Sequence, residues 1–230
     1  MPLVAAAVCP QPPLLVPEVA AGAAIELADL RTRCDGAVAG LVAARPELII
    51  AIGADGATGR CPPPYGGSLA PWGLHRTVGS PGGALPLGLL IGAWLLSRCA
   101  AAKAVPVAYQ AVGASAGPDE CAALGAALAG EAERVALLVM GDGSACRGED
   151  APGSADDRAG PFDAAVAAAL RDGDPDALLG LDPVLADELM AAGRPAWQVL
   201  GGAGASRRWR AELSYAAAPY GVGYFVAGWS

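Results

Sequence analysis

Four short apolar runs with few charges govern what this chain can fold into. They lie at about Leu3 to Val8, Leu48 to Gly53, Val105 to Tyr109 and Val135 to Met140. Runs of this length without polar alternation read as strands buried on both faces of a sheet. Ala-rich segments with helical spacing separate them, at about Ala24 to Ala44, Leu85 to Ala101 and Asp119 to Ala129. Strand, helix, strand, helix is the order of an α/β domain, and right-handed crossovers make parallel pairing the simplest topology. The expected fold is a three-layer α/β sandwich with a mainly parallel central sheet. The apolar stretches "WRAELSYAAAP" and "YGVGYFVAG" should close it as a C-terminal β-hairpin around the turn Ala218-Pro219-Tyr220-Gly221.

The 230 residues are read as one domain, since α/β folds of that length often stay undivided. In the second half, Asp174-Pro175 and Asp182-Pro183 each set an acidic cap beside a proline, a pattern that starts helices. With 54% apolar and 17% charged residues, the chain has ample material for a core. A net charge of -8 argues against a nucleic-acid partner, which needs clustered Lys and Arg. The one basic cluster, Arg207, Arg208 and Arg210, reads as a solvated face.

Prolines 10, 12 and 13 break the N-terminal apolar stretch, no basic segment precedes it, and no secretory signal is expected. The longest apolar run, Ala84 to Leu96, falls short of the ~20 residues that span a bilayer. A cytoplasmic location without membrane contact is therefore expected. The six cysteines, at 9, 34, 61, 99, 121 and 146, form no CxxC pair, and most of them read as small core residues.

Two long connections, Ala54 to Gly83 and Gly141 to Gly160, leave the expected carboxyl ends of strands, as does the Pro-rich elbow from Cys9 to Pro13. Open α/β sheets bind ligands at that edge, so the three segments outline a pocket. Its candidate ligand-binding residues are Cys9, Gln11, Asp55 and Ser144. Asp142 and His75 are the candidate catalytic pair: Asp142 follows a strand between two glycines, and His75 is the only imidazole in the chain. Other readings of the same residues stay open. Ser144 and Asp142 suit a turn, Gln11 suits hydrogen bonding to backbone freed by the prolines, and His75 suits a plain surface position. Ser80 in "SPGGALPLG" could cap a helix and offer its N–H groups to an anion. Tyr220, Tyr224, Phe225 and Trp229 suit packing or an interface between protomers, so a homo-oligomer is compatible with the chain.

The elbow "CPQPPLLVPE", the strand-to-loop "VMGDGSA", "GPFDAAV", "AGRPAWQVL" and the ending "APYGVGYFVAGW" together resemble the class III extradiol ring-cleavage dioxygenase superfamily, including its Memo-like relatives. The resemblance implies an oxidoreductase ancestry with a ferrous site. It would put a histidine in the elbow, another after the second strand, a carboxylate to complete the iron site, and an acid/base histidine after "GD-x-S". Carried onto this sequence, those positions are Gln11, near Asp55, Glu212 and Ala145. All three histidines are missing. A ferrous oxygen-activating site needs two imidazoles and a carboxylate, and one histidine per chain cannot supply it.

The expectation is thus a degenerate iron site with no metal or other cofactor, and a remnant pocket for a small organic or anionic ligand, with Glu212 among its residues. Two alternatives remain. One is an oxidoreductase or hydrolase acting on an aromatic or carbonyl substrate, with a hard metal reassigned to these oxygen donors or with His75 as acid/base. The other is a protein-interaction module.

Overall fold

The computed structural model describes residues 2–205 and 207–230. In chain order its elements are β1 (Leu3–Cys9), α1 (Pro17–Ala20), α2 (Ala28–Ala43), β2 (Leu48–Asp55), β3 (Gly59–Arg60), β4 (Gly66–Ser68), β5 (Thr77–Gly79), α3 (Leu87–Arg98), β6 (Val107–Gly113), α4 (Pro118–Ala129), β7 (Val135–Met140), α5 (Ala159–Asp172), α6 (Pro175–Leu179), α7 (Pro183–Glu188), α8 (Arg194–Gly204), β8 (Ala211–Ala217) and β9 (Tyr224–Trp229).

Seven strands form one sheet in the order β3-β6-β2-β7-β1-β9-β8. The four apolar runs are its parallel centre: β2 pairs with β6 and β7, and β7 pairs with β1. Strands β3, β9 and β8 extend it antiparallel at the two sides, with β8 and β9 forming the C-terminal hairpin. The third apolar run enters the ladder at Val107 rather than Val105, since Pro106 between them has no N–H to donate.

Side-chain alternation along the central strands divides the core. Ile50, Ile52, Leu137 and Val139 pack with α4, α5 and α8 on one face, while Ile49, Ala51, Leu138 and Met140 pack with α2 and α3 on the other. Helices α4 and α8 approach so closely that a Cβ on Gly125 would lie 2.1 Å from the Val199 carbonyl oxygen. That contact ties the first half of the chain to the second. The two acidic caps form as expected: Asp174 accepts from Ala177 N at 3.0 Å, and Asp182 from Val184 N at 2.8 Å.

The segment from Ala54 to Gly83 is not the open loop its sequence suggests. It folds into β3 and a separate two-stranded β4–β5 sheet. Ser80 caps nothing, because α3 starts further on, at Leu87, with Pro86 in the cap position. Arg207, in the basic cluster, stacks over the Trp209 ring at 3.9 Å. Among the described residues, no helix is long and apolar enough to cross a membrane.

Candidate functional site

The elbow at the end of β1 turns Gln11 away from the sheet ladder. Its backbone N–H, left without a strand partner, donates instead to Asp142 Oδ1 at 2.8 Å. Asp142 lies two residues past β7, the strand beside β1, and its own carbonyl accepts from Gly193 N at 2.8 Å. The carboxyl group is thereby fixed against the elbow. Burial pushes its pKa up to about 7, and the Gln11 N–H is the one contact opposing that rise. Tyr224, at the start of β9, is buried nearby, and its phenol is raised well above the ordinary range by burial and then by the charge of Asp142.

The Gln11 side chain, 8% exposed, lies against the first turn of α3. A Cβ on Gly88 would come within 2.3 Å of Gln11 Oε1. That oxygen is sealed from solvent and has no hydrogen-bond partner. An unmatched buried carbonyl costs about 1–3 kcal/mol, so the edge stores unmet hydrogen-bonding capacity. Gln11, Asp142 and Tyr224 thus lie close together, and among the described residues no basic side chain offsets the desolvation of Asp142.

Other residues singled out in the sequence lie elsewhere. Ser144 is fully buried and fully used: its Oγ donates to Leu189 O at 3.2 Å and accepts from Cys146 N at 3.1 Å. It serves the turn, and no ligand can reach it. Cys9 is also fully buried, and its thiol is raised well above its ordinary value by a hydrogen bond with Cys34 of α2 and then by burial. It faces the helix layer because strand alternation points residue 9 to the same side as Ala5 and Ala7.

Asp55 ends β2 and is exposed in a groove of about 390 Å³ with Arg60, Cys61, Leu85 and Pro86. Ile52 pairs with Val139, so Asp55 and Asp142, each three residues further on, leave the sheet at the same edge. His75 sits exposed on the β4–β5 hairpin, outside the residues lining that groove. Its neighbour Arg76 pairs with Glu18 at 2.5 Å. Glu212 lies within β8, opposite Gly228, and lines a different groove beside α2. The structure thus joins Gln11 to Asp142, sets Asp55 on the same edge, and leaves His75, Glu212, Ser144 and Cys9 apart from them. Among the described residues, no group of three or more His, Cys, Asp or Glu is placed to hold a metal ion.

Two participants are not legible as site residues from the sequence. Tyr224 reads there as packing or as part of an interface between protomers. Asp163 draws no notice within its helix, although it anchors the loop carrying Asp142. Its Oδ1 accepts from Ser144 N at 2.8 Å, and its Oδ2 pairs with Arg147 at 2.9 Å. Gly143 and Gly223 press against the same carboxylate, where added Cβ atoms would lie at 2.7 and 2.4 Å. A signal for Asp163 does exist. It falls in the stripe of α5 formed by Ala159, Phe162, Val166, Ala167 and Leu170, and a carboxylate in a buried stripe must have partners.

No family model matches the chain, and no curated protein does. Among solved structures, the crystal structure of an uncharacterized protein from Escherichia coli K12 is similar, with a TM-score of 0.51 and 15% sequence identity over 98% of this chain and 99% of that one. At that identity the likeness is one of fold, and it runs the whole length of both chains.

Proposed function

We propose that the chain is a small-molecule-binding protein of extradiol-dioxygenase-like descent that has lost its iron site, and that it holds its ligand at the carboxyl edge of the sheet beside Gln11, Asp142 and Tyr224. The observation that supports this reading is the Asp142 carboxyl. It is held in a half-buried position with no cationic partner among the described residues, and desolvation raises its pKa to about 7. Such a group weakens the fold, and perturbed carboxyls at a sheet edge are concentrated where ligands bind. The donors present do not fit ferrous iron, because the only histidine in the chain lies on an exposed hairpin away from this cluster.

A second reading rests on the same group. A carboxyl titrating at about 7 is matched to proton transfer at neutral pH, which suits an enzyme acting on a carbonyl or aromatic substrate with Asp142 as the acid/base. Elemental analysis of the purified protein, together with a catechol ring-opening assay, tests both readings against the parent activity. The expected result is iron well below one per chain and no ring opening. A full complement of iron with turnover of catechol would remove the proposal. Turnover of a carbonyl substrate that is lost in Asp142→Asn would select the second reading.

A further inference from the structure

On the α2 and α3 face of the sheet, far along β8 from its turn, a groove of about 880 Å³ opens between α2 and the β8–β9 hairpin. Its size falls in the range of small-molecule sites. Its inner wall includes Leu41 of α2, which is buried, while Ala6 and Trp229 contribute backbone, their side chains lying on the other face of the sheet. Its rim is charged with both signs. On α2, Asp29 and Arg33 satisfy each other at 3.2 Å. On the strand side, Arg210 and Glu212 line the groove, and among the described residues neither side chain has an ion-pair or hydrogen-bond partner.

Arg210 continues the β8 pairing, exchanging backbone hydrogen bonds with Ser230 at 3.0 and 2.9 Å. Residues two apart on a strand point to one side, about 6.6 Å from each other. A cation and an anion, neither with a partner among the described residues, therefore stand side by side over an apolar floor. The nearby hydroxyls are turned inward, with Thr32 donating to Ala28 O at 3.0 Å and Ser214 to Val226 O at 3.3 Å.

We propose that this groove is a binding site for a zwitterionic α-amino acid with an apolar side chain, whose carboxylate meets Arg210, whose ammonium meets Glu212, and whose side chain lies toward Leu41 and the open space over Gly36, Gly40 and Gly228. A zwitterion is favoured over an anion because the chain carries a net charge of -8, which repels anions and leaves a neutral ligand unaffected. The space is not required by packing: Gly36, Gly40 and Gly228 line it, and added Cβ atoms on them would meet nothing within 4 Å.

The test is a melting-temperature titration of the full chain with L-leucine, against isoamylamine and 4-methylpentanoate, which each lack one of its charges. A millimolar site predicts a rise of about 3 °C at tenfold excess over its dissociation constant. Loss of either ligand charge should weaken binding at least tenfold. Arg210→Ala and Glu212→Ala, both exposed, should abolish the rise. Gly40→Leu, which fills the groove from a helix position with open space, should abolish it as well while leaving the free protein at least as stable. The proposal is overturned if L-leucine gives no rise, if the rise survives in these variants, or if the single-charge analogues bind equally. Sedimentation showing a dimer that Gly40→Leu separates would also overturn it, assigning the groove to a second copy of the chain.

Discussion

At the residue scale, Asp142 carries the clearest consequences. Its pKa in the fold is about 7, against an ordinary 3.8, so the folded state favours the protonated form. The penalty is absent below about pH 4, builds between pH 4 and 7, and is fully present above. Asp142→Asn keeps an oxygen for the Gln11 N–H and removes the charge. It should raise stability by about 2–4 kcal/mol at pH 8 and by less than about 1 kcal/mol at pH 4. Urea midpoints at the two pH values measure this. An equal gain at both would show that the carboxyl is not perturbed. Removing Asp163 should have the opposite effect on stability. Asp163→Ala leaves the Ser144 N–H buried and Arg147 without its partner, which should cost about 2–4 kcal/mol in the same assay. The sequence exposes the first of these residues and hides the second for one reason. Asp142 stands in a glycine-flanked turn that is legible locally, whereas Asp163 acquires its importance from Ser144 and Gly223, distant positions brought to it by folding.

At the element scale, the join of elbow and α3 is the sensitive point. Alanine at position 88 improves helix propensity by about 1 kcal/mol, yet its Cβ would strike Gln11 Oε1. Gly88→Ala should therefore destabilise the protein. Gln11→Ala, which deletes a sealed and unpartnered carbonyl, should be neutral or stabilising by about 1 kcal/mol. In the double variant the two effects should couple by more than about 1 kcal/mol, read from a thermodynamic cycle of urea midpoints. Simple additivity would mean that the two side chains do not meet. The elements themselves are largely readable in the sequence. The four apolar runs form β1, β2, β6 and β7, and the Asp-Pro pairs start α6 and α7. The segment from Ala54 to Gly83 is not readable, because β4 is only Gly66–Ser68 and β5 only Thr77–Gly79. Strands that short carry no period in sequence, and each exists by pairing with the other.

At the scale of the whole molecule, one sheet runs through both halves of the chain, and the C-terminal hairpin extends it beside β1. Trp229 locks that hairpin down: it is 2% exposed, and its indole N–H donates to Leu170 O at 2.8 Å. Trp229→Ala should cost about 3–5 kcal/mol, and circular dichroism and tryptophan fluorescence should still report one coincident urea transition. Two separated transitions would show the hairpin to be a dispensable addition to the sheet. The sequence by itself determined the layering, since uninterrupted apolar runs can be satisfied only between two helical layers. It also determined that one chain cannot offer two imidazoles to a metal. The tertiary structure alone decided which polar groups are sealed, paired or left wanting. Ser144 was closed off by Leu189, Cys9 by Cys34, and Asp142 was raised toward neutrality, because solvation and hydrogen bonding depend on neighbours far away in the chain.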